Sequence, residues 1–180
     1  MKNYNDLYKE VIVPNMQEKF AYSNVMEIPK ITKVVINIGV GQSQVNPKIL
    51  QVAENTLITI SGQKPKYCLS KKAISGFKLR QGQKVGLAVT LRGKKMQDFI
   101  YRLIHIDLPR IRDFRGLDTK GFDRHGNYNI GIKEQIVFPE IKYDEVELTH
   151  GMEITIVTTA TNDDQANELL TLMGFPFKKN

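Results

Sequence analysis

One cysteine in 180 residues, Cys68, leaves no partner for an internal disulfide and too few thiolates for a Cys-rich zinc site. The histidines His105, His125 and His150 stand far apart with no helical metal spacing between any two, so neither a metal nor a cofactor is expected. No apolar run approaches the roughly 20 residues of a membrane-spanning helix. Asp6, Glu10 and Glu18 interrupt the first segment, where a secretory leader would be apolar. The chain is therefore expected inside the cell, away from membranes. A composition of 41% hydrophobic and 25% charged residues is that of a globular protein, and its length suits one domain over residues 1–180.

A further absence says more. Between Glu54 and Asp98 there is no acid, while Lys64, Lys66, Lys71, Lys72, Lys78, Arg80, Lys84, Arg92, Lys94 and Lys95 are all present. That stretch carries +10, and the rest of the chain, with 16 basic and 19 acidic residues, carries −3. A merely solvated surface mixes its signs, so the segregation points to a polyanionic partner. Gly76, Gly82, Gly86 and Gly93 interrupt the stretch and exclude a basic amphipathic membrane helix, which leaves nucleic acid.

Periodicity outlines the elements. Residues 3–20 read as a helix with Leu7, Val11 and Phe20 apolar and a break at Pro14. Alternation from Lys33 to Val40 gives a strand with Val34, Ile36, Ile38 and Val40 on one face. Asn46 is expected to cap a helix that starts at Pro47, carries Ile49, Val52, Ala53, Leu57 and Ile60, and closes at Gly62. A short strand over 64–69 precedes an aperiodic segment, 70–83, read as a long basic loop. Phe77, its one aromatic, either folds back as an anchor or faces RNA. Val85, Leu87, Val89 and Leu91 then alternate with Lys84, Gly86, Ala88, Thr90 and Arg92, the pattern of a sheet with one packed and one open face. Met96, Phe99, Ile100, Leu103 and Ile104 form a helical core stripe that Pro109 ends. A loop-rich segment with a hairpin tip at Gly126–Asn127 leads to a strand over 152–159 and a final helix. That helix is capped by Asn162, buries Ala166, Leu169, Leu170 and Met173, and closes at Gly174. The fold class is α+β: a mainly antiparallel sheet with helices packed on one face and the other left open for nucleic acid.

Catalytic constellations fail. Gly39-Val40-Gly41 follows a strand, but the third glycine of a dinucleotide loop should fall at Gln44. Cys68 lies among lysines with no histidine to activate it, and reads as a small strand residue. Asp113, Asp118 and Asp123 alternate with Arg112, Arg115, Lys120 and Arg124 and are expected to order their loop by salt bridges. A nucleic-acid-processing enzyme would cluster carboxylates for metal ions on its basic side, and a pure protein-interaction module would not need ten unopposed cations. The open face is the better site, with small residues Gly39, Gly86 and Ala88 and donors Lys33, Asn37, Lys84, Thr90 and Arg92.

Eight motifs stand in order along the chain: Val35-Ile-Asn-Ile-Gly-Val-Gly41, Ser61-Gly-Gln-Lys-Pro65, Lys72-Ala-Ile-Ser-Gly-Phe-Lys-Leu-Arg80, Val89-Thr-Leu-Arg-Gly93, Leu108-Pro-Arg-Ile-Arg-Asp-Phe-Arg-Gly116, Gly126-Asn-Tyr128, Gly131-Ile-Lys-Glu-Gln135 and Phe138-Pro-Glu140. Together they resemble the bacterial-type large-subunit ribosomal protein five family across essentially the whole sequence. The resemblance implies a structural, non-enzymatic protein of the central protuberance. Its implied partners are 5S rRNA, 23S rRNA, peptidyl-site tRNA, a small-subunit head protein and neighbouring large-subunit proteins. The family's 5S rRNA contacts fall on Asn37, Gln63, Thr90 and Arg92, with Lys33 beside them on the same open face. Its tRNA-approaching loop matches Lys71 to Gln83, with Lys71, Lys72, Ser75, Lys78 and Arg80 as contacts. Its intersubunit bridge matches residues 110–144, with Arg110, Arg112 and Arg115. Three positions depart from the family pattern: Lys66 replaces an apolar residue, Arg124 a glycine, and Gln42 an acid.

Overall fold

The computed structural model describes residues 4–41, 47–141 and 148–178, so the expected cap Asn46, the departure Gln42 and the end of the 110–144 segment lie outside the described residues. In chain order the elements are α1 (Tyr4–Leu7), α2 (Val13–Phe20), β1 (Ile31–Gly39), α3 (Pro47–Ser61), β2 (Lys66–Leu69), β3 (Lys84–Leu91), α4 (Gly93–Arg102), β4 (Tyr128–Ile132), β5 (Met152–Thr158) and α5 (Asp163–Leu172). The strands form one antiparallel five-stranded sheet in the order β2-β3-β1-β5-β4, and the architecture is α+β as expected.

The chain groups into two compact units, each built from separated stretches and neither a sequential domain. The first comprises residues 1–34, 92–130 and 155–180. In it a π turn, Tyr8–Ile12, joins α1 to α2. The cause is Pro14, which has no N–H and would clash with the Glu10 carbonyl in a regular helix. The turn before it widens, and Val13 N–H reaches back to the Tyr8 carbonyl. Ile12 and Met16 are fully buried, whereas Leu7, Val11 and Phe20 are only half-buried. Pro109 has the same effect on α4. A π turn over Leu103–Asp107 follows the helix, Leu108 N–H bonds the Leu103 carbonyl, and Pro109 sits in a single 3-10 turn, Leu108–Arg110. The expected stripe Met96, Phe99, Ile100, Leu103 and Ile104 is buried.

The Gly126–Asn127 tip is present, with Phe122 bridged to Tyr128. Asp123 builds the turn by accepting from His125 N at 2.9 Å, Asn127 N at 3.0 Å and Asn127 Nδ2 at 2.8 Å. Partial burial works to raise the Asp123 carboxyl, but these hydrogen bonds outweigh it and hold the group below its ordinary range. Asp118 likewise accepts from Lys120 N at 3.1 Å, so these two aspartates order the loop through backbone amides rather than through the salt bridges expected. Arg124 takes φ 68°, a left-handed conformation that costs an L-residue roughly 1–2 kcal/mol. Its N–H donates to Asp163 Oδ2 at 3.1 Å, and Gly126 N donates to Asp163 Oδ1 at 3.0 Å. Asn162 occupies the N-cap of α5 without a side-chain capping bond.

The second unit comprises residues 35–91 and 131–154. Here Ile36, Ile38, Leu87, Val89 and Leu91 turn inward with Ala53, Leu57 and Ile60 of α3, all buried. Gln135, 1% exposed, donates to the Leu148 carbonyl at 2.7 Å and accepts from His150 N at 2.7 Å, which fixes that end of the unit. Gly86 is small for a reason the sequence does not show. A Cβ there would lie 2.8 Å from the Ile38 carbonyl of β1, so the close approach is between strands rather than to a ligand. Gly86→Ala is expected to cost about 1–3 kcal/mol of stability, as overpacking does. A urea melt measures it, and an unchanged midpoint would mean that β1 yields freely.

Candidate nucleic-acid interface

α3 ends at Ser61, and Gly62 with φ 60° turns the chain left-handed. Ser61 Oγ donates to the Leu57 carbonyl at 2.5 Å and accepts from Gln63 N at 3.2 Å. The turn delivers the exposed Gln63 to β3, where its Nε2 donates to the Thr90 carbonyl at 3.4 Å. Asn37 and Thr90 are exposed on β1 and β3, opposite to the buried side chains that alternate with them. Gln63, Thr90 and Asn37 thus belong to the outward surface of the second unit. Lys33 and Arg92 belong to the first unit, Lys33 half-buried and Arg92 exposed in extended backbone immediately after β3. Gly39 is exposed, and a Cβ there would meet nothing within 4 Å. Lys66 pairs with Ala88 and is exposed, so the departure adds a cation on the side of the outward residues.

Of the members expected on this face, Gly86 offers a ligand no approach and Lys84 is not there. Gly86 is buried against β1. Lys84 is turned by a bulge in the β2–β3 pairing: Lys66, Tyr67 and Cys68 oppose Ala88, Leu87 and Gly86, but Leu69 opposes Lys84. The extra residue on β3 breaks the alternation, because a bulge puts two residues against one. Lys84 therefore shares the side of Leu69 and Tyr67, and its Nζ lies 3.9 Å from the centre of the Tyr67 ring. Tyr67 OH donates to Glu54 Oε2 of α3, and that bond pushes the phenol's pKa up from its ordinary value.

The 70–83 segment, read from the sequence as an irregular loop, is a hydrogen-bonded hairpin. Ser70 N donates to the Gln83 carbonyl at 2.8 Å and Gly82 N to the Ser70 carbonyl at 2.9 Å, which closes its base. Ile74 and Leu79 exchange both backbone bonds further out, at 2.9 and 3.0 Å. Ser75–Phe77 form a 3-10 turn, and Lys78 with φ 53° reverses the chain. Arg80 N donates to Gln83 Oε1 at 2.7 Å. Lys71, Lys72, Ser75, Lys78 and Arg80 are all exposed. At the tip Phe77 is 74% exposed and Ile74 46%, so Phe77 does not fold back as an anchor. Sequence reasoning passed over Ile74; the available signal was its spacing three residues before Phe77 in a stretch rich in lysine and arginine. The ten cations of the acid-free stretch are exposed without exception.

Arg110, Arg112 and Arg115 are exposed on a separate loop of the first unit. The chain terminus ties that loop down: Leu117 N donates to the Pro176 carbonyl at 2.7 Å and Lys178 N to the Leu117 carbonyl at 2.9 Å. Phe122, Tyr128 and Phe177 pack ring to ring behind it, with centroids 4.6 to 6.0 Å apart. Tyr128 OH donates to the Asp118 carbonyl at 2.7 Å, and burial raises its pKa to about 12.

Two protein-family models match the chain: "Ribosomal protein L5" over residues 24–80, and the model for the C-terminus of the same ribosomal family over residues 84–177. Large ribosomal subunit protein uL5 of Alkaliphilus oremlandii is 55% identical over 179 residues, 99% of this chain and 100% of the relative. The protein of the same name from Syntrophomonas wolfei is 53% identical over 178 residues, again 99% and 100%, and that from Halothermothrix orenii is 52% identical over 172 residues, 96% of each. With likeness this close over nearly the whole of both sequences, the chain belongs to the L5 family of ribosomal proteins.

Proposed function

We propose that this protein, a structural and non-enzymatic constituent of the large subunit of the cytoplasmic ribosome, binds 5S rRNA through Asn37, Gln63, Thr90, Arg92 and Lys33. In the same reading it touches 23S rRNA and neighbouring large-subunit proteins, presents the 70–83 hairpin to peptidyl-site tRNA, and uses Arg110, Arg112 and Arg115 in the 110–144 segment to bridge to a small-subunit head protein. The observation that carries the RNA reading is the placement of neutral donors on an outward strand surface, two of them, Gln63 and Thr90, within a stretch that contains no acid and whose ten cations are all exposed. A-form RNA hides its major groove and offers a wide minor groove, riboses and loop bases, so fixed amide and hydroxyl donors suit it. Phosphate contacts from Lys and Arg then supply most of the affinity. The exposed Phe77 among four cations adds an aromatic plane on which an unstacked base can lie, and thereby favours RNA as the hairpin's partner.

Titration of the purified protein with 5S rRNA over a range of KCl tests the reading. With about five cations on phosphates the log–log slope is expected at roughly −3.5 to −4.5, from about 0.7 to 0.9 per contact. A slope near zero would reject the polyanion site.

A further inference from the structure

We propose that Lys84 is withheld from RNA and serves instead, with Tyr67 and Glu54, to set the base of the 70–83 hairpin; the contrast with cations that meet RNA rests on the 5S rRNA reading above. By sequence Lys84 is one more cation of the basic stretch, but three observations set it apart. The bulge at Cys68/Leu69 places it opposite Leu69, on the side of Tyr67 rather than with Ala88 and Thr90. Its ammonium stands 3.9 Å from the centre of the Tyr67 ring, within cation–π range. The ring is in turn tied to α3 by the bond from its hydroxyl to Glu54, which keeps the aromatic face in place under the cation.

The location gives the arrangement its use. Leu69 and Lys84 are the last paired residues of β2 and β3, and the hairpin leaves the sheet directly beyond them, closed by the bonds of Ser70 and Gly82. A bulge bends and twists its strand, so the direction of the hairpin depends on which conformation the bulge holds. Glu54, Tyr67 and Lys84 brace that conformation from the α3 side. Lys84 is a positioning residue: its charge acts on the ring, and the hairpin's own cations act on RNA.

The test compares Lys84→Met, Lys84→Arg and Tyr67→Phe in the full-length protein, with Arg92→Met as the control for a phosphate contact. Amide hydrogen exchange of the free protein reads the hairpin base without any RNA. Lys84→Met is expected to speed exchange at Ser70 and Gly82 by roughly two- to fivefold, the loss of one exposed cation–π contact, and Lys84→Arg is expected to restore the protection. Tyr67→Phe, which frees the ring from Glu54, should also speed it. In 5S rRNA binding, Arg92→Met should make the salt slope shallower by about 0.7 to 0.9, while Lys84→Met leaves it unchanged. A slope that falls with Lys84→Met, or exchange that ignores the substitution, overturns the proposal. A wild-type slope near zero instead overturns the 5S rRNA reading, and the exchange measurement still decides the role of Lys84.

Discussion

Leu91→Ala is expected to lose about 2–5 kcal/mol of folding stability, whereas its neighbour Arg92→Ala should melt almost as the parent does and lose about 1–3 kcal/mol of 5S rRNA affinity. The contrast follows from one strand. Leu91 is fully buried, so truncation removes a large apolar side chain and leaves a void that the packed surroundings fill only in part. Arg92, one residue on, is exposed in extended backbone and makes no side-chain cap for α4, so its loss removes no packing. On the proposed reading its guanidinium supplies a charge-assisted bond to RNA, which is stronger than a neutral one. Urea denaturation and equilibrium binding of both variants separate the two effects. If the variants behaved alike in both measurements, the inward and outward assignment of β3 would be wrong.

Excision of the hairpin should divide the two RNA activities. When a Gly-Asn turn joins Ser70 directly to Gln83, four exposed cations and the exposed Phe77 are lost, but no buried residue goes with them. The bond from Ser70 N to the Gln83 carbonyl already sets the two ends at hairpin distance, so the turn closes without rearrangement. Affinity of the isolated variant for 5S rRNA is expected to stay within about twofold of the parent, since the neutral donors of the outward surface lie outside the excised stretch. Retention of peptidyl-site tRNA on ribosomes carrying the variant should fall by roughly tenfold or more, the loss of one stacked base and several phosphate contacts. Equal loss of both activities would place the hairpin in the 5S site. Undiminished tRNA retention would leave its charges as an ordinary solvated surface.

Much of the fold was legible because alternation and helical spacing are direct records of burial. Val34, Ile36, Ile38 and Val40 are all buried as their pattern requires, and the same is true of Ala53, Leu57 and Ile60. The failures have local causes that periodicity does not carry. Pro14 and Pro109 announce a break but not its form, which in each case is a π turn just before the proline. A bulge adds one residue to β3 and moves Lys84 off the face that strict alternation gives it. The hairpin escaped because its order comes from turn and bridge hydrogen bonds at Ser70, Ile74, Leu79 and Gly82, which impose no hydrophobic repeat. At the open face, Asn37 and Thr90 follow from strand parity, whereas Gln63 reaches β3 only through the Gly62 turn and the Ser61 hydroxyl, a tertiary arrangement that its position after a helix does not reveal.

The central claim, that 5S rRNA meets the outward surface of β1 and β3, is tested most directly by side-chain amide NMR of the protein with and without 5S rRNA. Asn37 and Gln63 carry such amides on that surface, while the amide of Gln135 is buried in its bonds to Leu148 and His150 and that of Asn15 is bonded to the Val11 carbonyl of the N-terminal helix. The account predicts that 5S rRNA shifts or broadens the Asn37 and Gln63 signals and leaves those of Gln135 and Asn15 in place. Unmoved Asn37 and Gln63 signals in a saturated complex would contradict it.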